Sequence, residues 1–325
     1  MPYSGSASVQ PLQTDKPIKL LSGNANPALA NAIAAYIGLP LSPGRITRFA
    51  DGEVMVEIEE NMRGADVFVL QPTCPPVNDN LMELLVMVDA LKRASANSIT
   101  AVVPYFGYGR QDRKTASRSP ITAKLVADMM TTSGIQRLLC LDLHAAQIQG
   151  FFNVPVDNLY AQPVLVADAL KRYGRDNLVV VSPDVGGVVR ARATAKALDV
   201  PLAIIDKRRP AANQVVVMNV IGDVKGKTCL LLDDMIDTAG TIVNAAQALM
   251  ELHGAKEVVA YASHGLFSGP AVERINNSVL KEVVVTDSLP LHTTCEKIRI
   301  VSAAPLIAEA MRRIVTRESL SALFG

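Results

Sequence analysis

Three aspartates, Asp233, Asp234 and Asp237, stand where the apolar run Leu230-Leu231-Leu232 gives way to Thr238-Ala239-Gly240-Thr241 and then to a helical pattern. Backbone amides from Asp237 to Thr241, opening onto a helix N-terminus, can gather around a phosphate with help from the threonine hydroxyls. Asp233 and Asp234 would repel that phosphate if they faced it, so they suit the hydroxyls of an attached sugar, reached one residue earlier in the loop. An aspartate capping the helix would account for one of the three acids and would leave the Thr-Ala-Gly-Thr run unexplained.

Other groups carry chemistry of a related kind. Arg110-Gln111-Asp112-Arg113-Lys114 packs three cations behind a predicted strand and can clamp a polyphosphate; alone it would read as a solvated basic turn. Lys207 and Arg209 follow another predicted strand and precede Pro210-Ala211-Ala212-Asn213, small residues suited to a mobile flap. Asp184 is followed by Gly186-Gly187, which let a backbone approach closely. Two look-alikes fail. Gly226-Lys227-Thr228 lacks the earlier glycine of a P-loop, because position 221 is Ile221, and it precedes its strand. Gly107-Tyr108-Gly109 opens like a dinucleotide fingerprint, but Asp112 occupies the place of the third glycine.

The elements that must position these groups are legible as alternation. Asp66–Gln71, Ile99–Pro104, Leu138–Leu143, Leu178–Ser182, Leu202–Ile205, Thr228–Leu232, Glu257–Ser263 and Glu282–Thr286 are short apolar runs, mostly unbroken, as expected of strands buried on both faces. Amphipathic segments Asn80–Ala94, Ala123–Ser133, Gly187–Leu198 and Thr241–Leu252 lie between them. The expectation is an α/β protein of parallel sheets covered by helices, with chemistry in the loops beyond the carboxyl ends of the strands.

A chain of 325 residues, 49% hydrophobic, exceeds a single ordinary core and suggests two domains. The expected boundaries are a flexible leader over 1–17, a first domain over 18–160 and a second over 161–325, whose last residues pack back on the first. A net charge of +1 gives no global field toward nucleic acid or membrane, so anion binding must be local. Cys74, Cys140, Cys229 and Cys295 lie far apart without a C-x-x-C pair, which favours free thiols in a reducing cytoplasm over a disulfide framework or zinc site. No apolar stretch reaches the roughly 18 residues of a membrane span.

The Asp233–Thr241 segment resembles the phosphoribosyl-binding signature of type I phosphoribosyltransferases. With Ser22–Pro27, Phe49–Glu53, Val102–Tyr108, Asp142–Phe152, Ser182–Gly187 and Asp206–Pro210 in order, the whole chain from about Lys19 to Phe324 resembles the phosphate-dependent, hexameric class of ribose-phosphate pyrophosphokinases. That resemblance implies two type I phosphoribosyltransferase-like domains and substrates ATP and ribose 5-phosphate. Phe49, Asp51, Gly52, Glu53, Arg110 and Gln111 would hold ATP, the first four from a neighbouring subunit. An aromatic ring can stack on adenine while carboxylates accept from its amino group. Asp233, Asp234, Asp237, Thr238, Ala239, Gly240 and Thr241 would hold ribose 5-phosphate together with Arg209, while Lys207 and Arg209 would close over the substrates as catalytic cations. His144 and Asp184 would sit at a Mg²⁺ site; histidine is an unusual partner for so hard a cation, so that position rests on the resemblance. Gln149, Asn158, Ser319, Ser321 and Phe324, with Arg63 and Arg118 as further cationic candidates, would form an allosteric pocket for activating inorganic phosphate or inhibitory ADP. A homohexamer built from dimers is the expected assembly. Two rival readings are a phosphoribosyltransferase using the same sugar-phosphate loop and a non-catalytic regulatory homologue.

Overall fold

The computed structural model describes residues 16–208 and 217–323. Arg209 and Phe324, two of the expected site residues, lie outside them. Among the described residues the chain groups into two compact units. One takes the chain through Tyr160, together with 288–290 and the segment from Ala303 on; the other takes Ala161–Asp287 and Leu291–Ser302.

The first unit opens with β1 (Ile18–Ser22), α1 (Pro27–Ile37), β2 (Gly44–Arg48), β3 (Val54–Ile58), β4 (Asp66–Leu70), α2 (Val77–Arg93), β5 (Ser98–Val103), α3 (Thr122–Ser133), β6 (Arg137–Leu141) and β7 (Val156–Leu159). Asn26 starts α1 by accepting from the Leu29 amide, Pro27 takes the first turn, and Gly38 ends the helix in the left-handed region at φ 74°. Along α2 the buried Leu81, Leu84, Met87, Val88 and Leu91 recur at helical spacing and face the sheet. That sheet is parallel throughout, in the order β1-β4-β5-β6-β7. β2 and β3 form a separate antiparallel ribbon, paired from Gly44 opposite Ile58 to Arg48 opposite Val54. Its Ile46, Val56 and Ile58 pack against the core that α2 covers.

The second unit runs α4 (Gln162–Tyr173), β8 (Leu178–Ser182), α5 (Val188–Leu198), β9 (Leu202–Arg208), β10 (Val217–Ile221), β11 (Thr228–Ile236), α6 (Gly240–Glu251), β12 (Glu257–Gly265), α7 (Ala271–Asn276), β13 (Glu282–Thr286) and β14 (Ile298–Val301). Its sheet has the order β10-β9-β8-β11-β12-β13-β14, with β10 antiparallel to β9 at one edge. From β8 the chain crosses to β9 on one side, and from β11 it crosses to β12 on the other. The strand order therefore reverses between β8 and β11, where a crevice opens beyond the carboxyl ends of an α/β sheet. The last helix, α8 (Ala304–Thr316), belongs to the first unit, where it packs against α1.

Two boundaries differ from the sequence reading. β11 was expected to stop at Leu232, but parallel pairing with β12 continues through Asp233 opposite Ala262 to Ile236 opposite Gly265. Asp233 and Asp234 are therefore on the end of a strand and not in a loop, because the partner strand extends equally far. β9 likewise runs past Ile205 to Arg208, where β10 pairs with it, placing Lys207 opposite Met218. The parallel α/β class itself holds.

Candidate active site

At the reversal point in the second unit, β8 and β11 deliver acids side by side. Val181 pairs with Leu231, so the residues that follow each strand emerge together. Asp233 Oδ1 accepts from the Asp234 amide at 2.8 Å. Burial and the adjoining Asp234 carboxyl push Asp233 above the ordinary carboxylate range, and Asp184 adds to the same field. Asp234, itself buried, has Arg190 of α5 at 3.4 Å. Asp184 is exposed in a tight turn: its Oδ1 accepts from the Gly187 amide at 2.9 Å, and its carbonyl accepts from Ser182 Oγ at 2.7 Å. Carboxylate oxygens are of the hard kind that magnesium prefers, but among the described residues no group of three or more histidine, cysteine, aspartate or glutamate side chains is placed to hold a metal ion. His144 belongs to the other unit.

Immediately beyond β11 the backbone turns through Asp237 and Thr238 into α6. Ala239 occupies the helix N-cap at φ 61°, and no side chain caps the first turn. A left-handed alanine costs about 1 kcal/mol, a local strain held in place by its surroundings. Those surroundings are the segment after β12: the Ser268 amide donates to Asp237 O at 2.9 Å, and Arg274 of α7 donates to Thr238 O at 3.0 Å. Arg274 and Arg190, both in contact with this loop or strand end, carry no motif that singles them out in the sequence. Thr238 and Thr241 are exposed, while Asp237 and Gly240 are half-buried. The arrangement suits a phosphate at the helix N-terminus beside sugar hydroxyls at the acidic pair.

In the first unit the basic loop after β5 is fixed at several points. Gly107 donates its amide to Thr73 Oγ1 at 2.7 Å, and a Cβ there would stand 2.3 Å from Thr73 O, so only glycine lets the two loops approach. Gln111 is anchored by its amide to Tyr108 O at 3.0 Å and by its side chain to the Thr122 hydroxyl at 2.5 Å. Asp112 accepts from Gln147 at 2.6 Å, joining the basic loop to the loop after β6 that carries exposed His144. Arg110 is exposed on the same loop. Phe49 is no core aromatic: it is 54% exposed at the tip of the β2–β3 ribbon, beside exposed Asp51, Gly52 and Glu53. The tip is closed by the Phe49 amide on Glu53 O at 2.9 Å and the Glu53 amide on Asp51 Oδ1 at 3.1 Å.

A separate cleft of about 590 Å³ in the first unit brings Gln149, Asn158 and Ser321 together with Arg137, Arg313 and Arg317. Ser319 adjoins it, its carbonyl accepting from Arg313 at 2.8 Å. Arg63 and Arg118 are not among its lining residues. The three arginines that are went unnoticed because two of them lie on or just after α8, far along the chain from Gln149.

Residues 18–134 match the model of the N-terminal domain of ribose phosphate pyrophosphokinase, and residues 182–325 match the phosphoribosyl synthetase-associated domain. A ribose-phosphate pyrophosphokinase of Xanthomonas axonopodis pv. citri is 59% identical over 318 residues, covering 96% of this chain and 99% of the relative. The chain belongs to the ribose-phosphate pyrophosphokinase family. A relative of that name from Marinomonas sp. is 58% identical over 313 residues, 95% of this chain and 99% of its own. The crystal structure of phosphoribosylpyrophosphate synthetase from Mycobacterium smegmatis matches with a TM-score of 0.88 at 44% identity, covering 93% of this chain and all of the other. As a member of this pyrophosphokinase family the chain is an enzyme of phosphoribosyl pyrophosphate formation, a transferase of nucleotide biosynthesis. Among the described residues no helix is long and apolar enough to cross a membrane. Burial pushes the thiols up, to about 11 at Cys74 and about 12 at Cys229, which removes both from thiolate chemistry near neutral pH.

Proposed function

We propose that the enzyme transfers the diphosphoryl group of Mg-ATP to O1 of D-ribose 5-phosphate, giving 5-phospho-α-D-ribose 1-diphosphate and AMP for nucleotide, histidine and tryptophan biosynthesis. The observation that carries this reading is the acidic end of β11 running directly into the uncapped N-terminus of α6, a place for sugar hydroxyls next to a place for a phosphate. In this reading Asp233 and Asp234 orient the ribose, while Asp237–Thr241 hold its 5-phosphate by their amides and hydroxyls. Phe49 stacks on adenine, Asp51 and Glu53 accept from its amino group, and Arg110 and Gln111 meet the phosphates. Asp184, with His144, would serve the magnesium ion, which when bound neutralises the charge of the phosphates. Lys207 and Arg209 stabilise the diphosphoryl group in flight. Positioning and cations supply most of the acceleration, since such a transfer needs little covalent help from protein.

Inorganic phosphate activation and ADP inhibition are assigned to the arginine-rich cleft, with Phe324 contributing from the chain end, in a cytoplasmic homohexamer built from dimers. A phosphoribosyltransferase would use the α6 loop in the same way but would leave the ribbon tip and the basic loop without a task. The deciding experiment is an assay for AMP released from ATP, which is expected only when ribose 5-phosphate and Mg²⁺ are both present. Formation of a nucleotide from phosphoribosyl pyrophosphate and a free base, with no such AMP release, would overturn the reading.

A further inference from the structure

Glu83 is a buried carboxylate with an unusual set of partners. It is 3% exposed on the inner face of α2, and among the described residues no cation pairs with it. Its Oε1 accepts from the Asn24 amide at 2.7 Å and from Gln71 Nε2 at 2.9 Å, and its Oε2 accepts from Asn24 Nδ2 at 3.2 Å. Gln71, fully buried after β4, completes the cradle by accepting from the Ala25 amide at 3.0 Å. Gly23 lies so close that a Cβ there would stand 2.3 Å from Gln71 Oε1 and 2.9 Å from Glu83 Oε1. Burying a carboxyl group without a counter-ion is costly, and the three donors around it offset that cost. What a carboxylate offers that an amide does not is an acceptor on both oxygens, so both the main chain and the side chain of Asn24 are gripped at once.

The side chain so held reaches further. Asn24 Nδ2 also donates to Ile46 O at 3.1 Å, in the middle of β2 and three residues before Phe49. A two-stranded ribbon is marginal by itself, so the direction in which its tip points depends on whatever ties it down. Here the ties are the packing of Ile46, Val56 and Ile58, the Arg48–Asp79 pair at 3.5 Å, and the Asn24 bond. We infer that Asn24, locked by Glu83 and Gln71, is a positioning residue that aims the ribbon carrying Phe49, Asp51 and Glu53 at the adenine of ATP. The inference rests on the reading of that ribbon tip as an ATP-binding element.

The test measures initial rates against each substrate for Asn24→Ala, Glu83→Gln and Phe49→Ala, with thermal unfolding of each protein alongside. Asn24→Ala is expected to raise the KM for ATP about fivefold, as loss of one hydrogen bond allows, with kcat, the KM for ribose 5-phosphate and Tm close to those of the parent. Glu83→Gln, which sets an amide donor against Asn24 Nδ2, should shift the same constant in the same direction. An unchanged KM for ATP in Asn24→Ala, while Phe49→Ala raises it, would overturn the positioning role alone. An unchanged KM in Phe49→Ala would remove the ribbon from ATP binding and the inference with it. Equal loss toward both substrates with a lowered Tm would make Asn24 and Glu83 merely structural.

Discussion

Asp233 and Asp234 are neighbours with different surroundings, since Arg190 stands beside Asp234 while Asp233 is left to the field of the other acids. Asp233→Ala should weaken ribose 5-phosphate binding by about tenfold or more, the scale of a lost charged hydrogen bond, and leave ATP affinity intact. Calorimetry with each ligand separates the two. Gly107→Ala is a sharper case, because the added Cβ meets a main-chain carbonyl at 2.3 Å and no side chain can yield. It should cost about 1–3 kcal/mol of stability, read as a lower denaturant midpoint, and should loosen the basic loop. At this scale the residues with chemical motifs, such as Asp233 or Arg110, were legible in sequence. Glu83, Arg190 and Arg274 were not, because each acts on a partner tens of residues away and nothing local distinguishes it from a solvated charge.

At the scale of elements, the buried strands were visible as apolar runs, and α2, α3, α5 and α6 as amphipathic ones. β1, β2, β3, β7, β10 and β14 were not: β1, β7 and β14 are only partly buried, unlike the equally short β4, β6, β8 and β13, and the ribbon strands β2 and β3 have no buried position. A polar clamp shows how such an edge is held. Arg299 of β14 meets Asp168 of α4 with paired bonds of 2.8 and 2.7 Å and Glu282 of β13 at 3.2 Å, while the Tyr261 hydroxyl of β12 donates to Asp168 at 2.7 Å. Burial alone would raise both acids, but Arg299 and the tyrosine hydroxyls outweigh it and hold Asp168 and Glu282 below their ordinary range. Their contribution to stability is therefore present above about pH 4–4.5, where the unfolded acids ionise, and is lost as pH falls through the lower folded values. Arg299→Leu should destabilise by roughly 3 kcal/mol at neutral pH, because partly buried Asp168 loses its paired bonds and Glu282 keeps, of its two arginines, only Arg172, at 3.0 Å. The deficit relative to the parent should shrink on acidification, since burial then raises both acids and protonation relieves them. Denaturant melts at pH 7 and pH 5 check this; a deficit that is constant or grows would contradict it.

On the scale of the whole molecule, truncation after Thr316 removes Arg317, Glu318 and Ser321 from the arginine-rich cleft, and Ser319 beside it, while leaving α8 in place. Phosphate activation of the initial rate should disappear, and the rate without phosphate should remain. A phosphate titration of both proteins, with sedimentation to confirm equal assembly, decides it; identical responses would remove the cleft from regulation. The return of α8 to the first unit has another consequence. Because residues 161–287 and 291–302 intervene, the hydrophobic face of α1 waits for a helix made only after the second unit. The second unit is nearly continuous in the chain and can complete itself on the nascent polypeptide, whereas α1 of the first, though made earlier, stays uncovered until α8 follows that unit. Order of synthesis and order of packing are thus reversed at one place: α1, made before the second unit, is covered only after it.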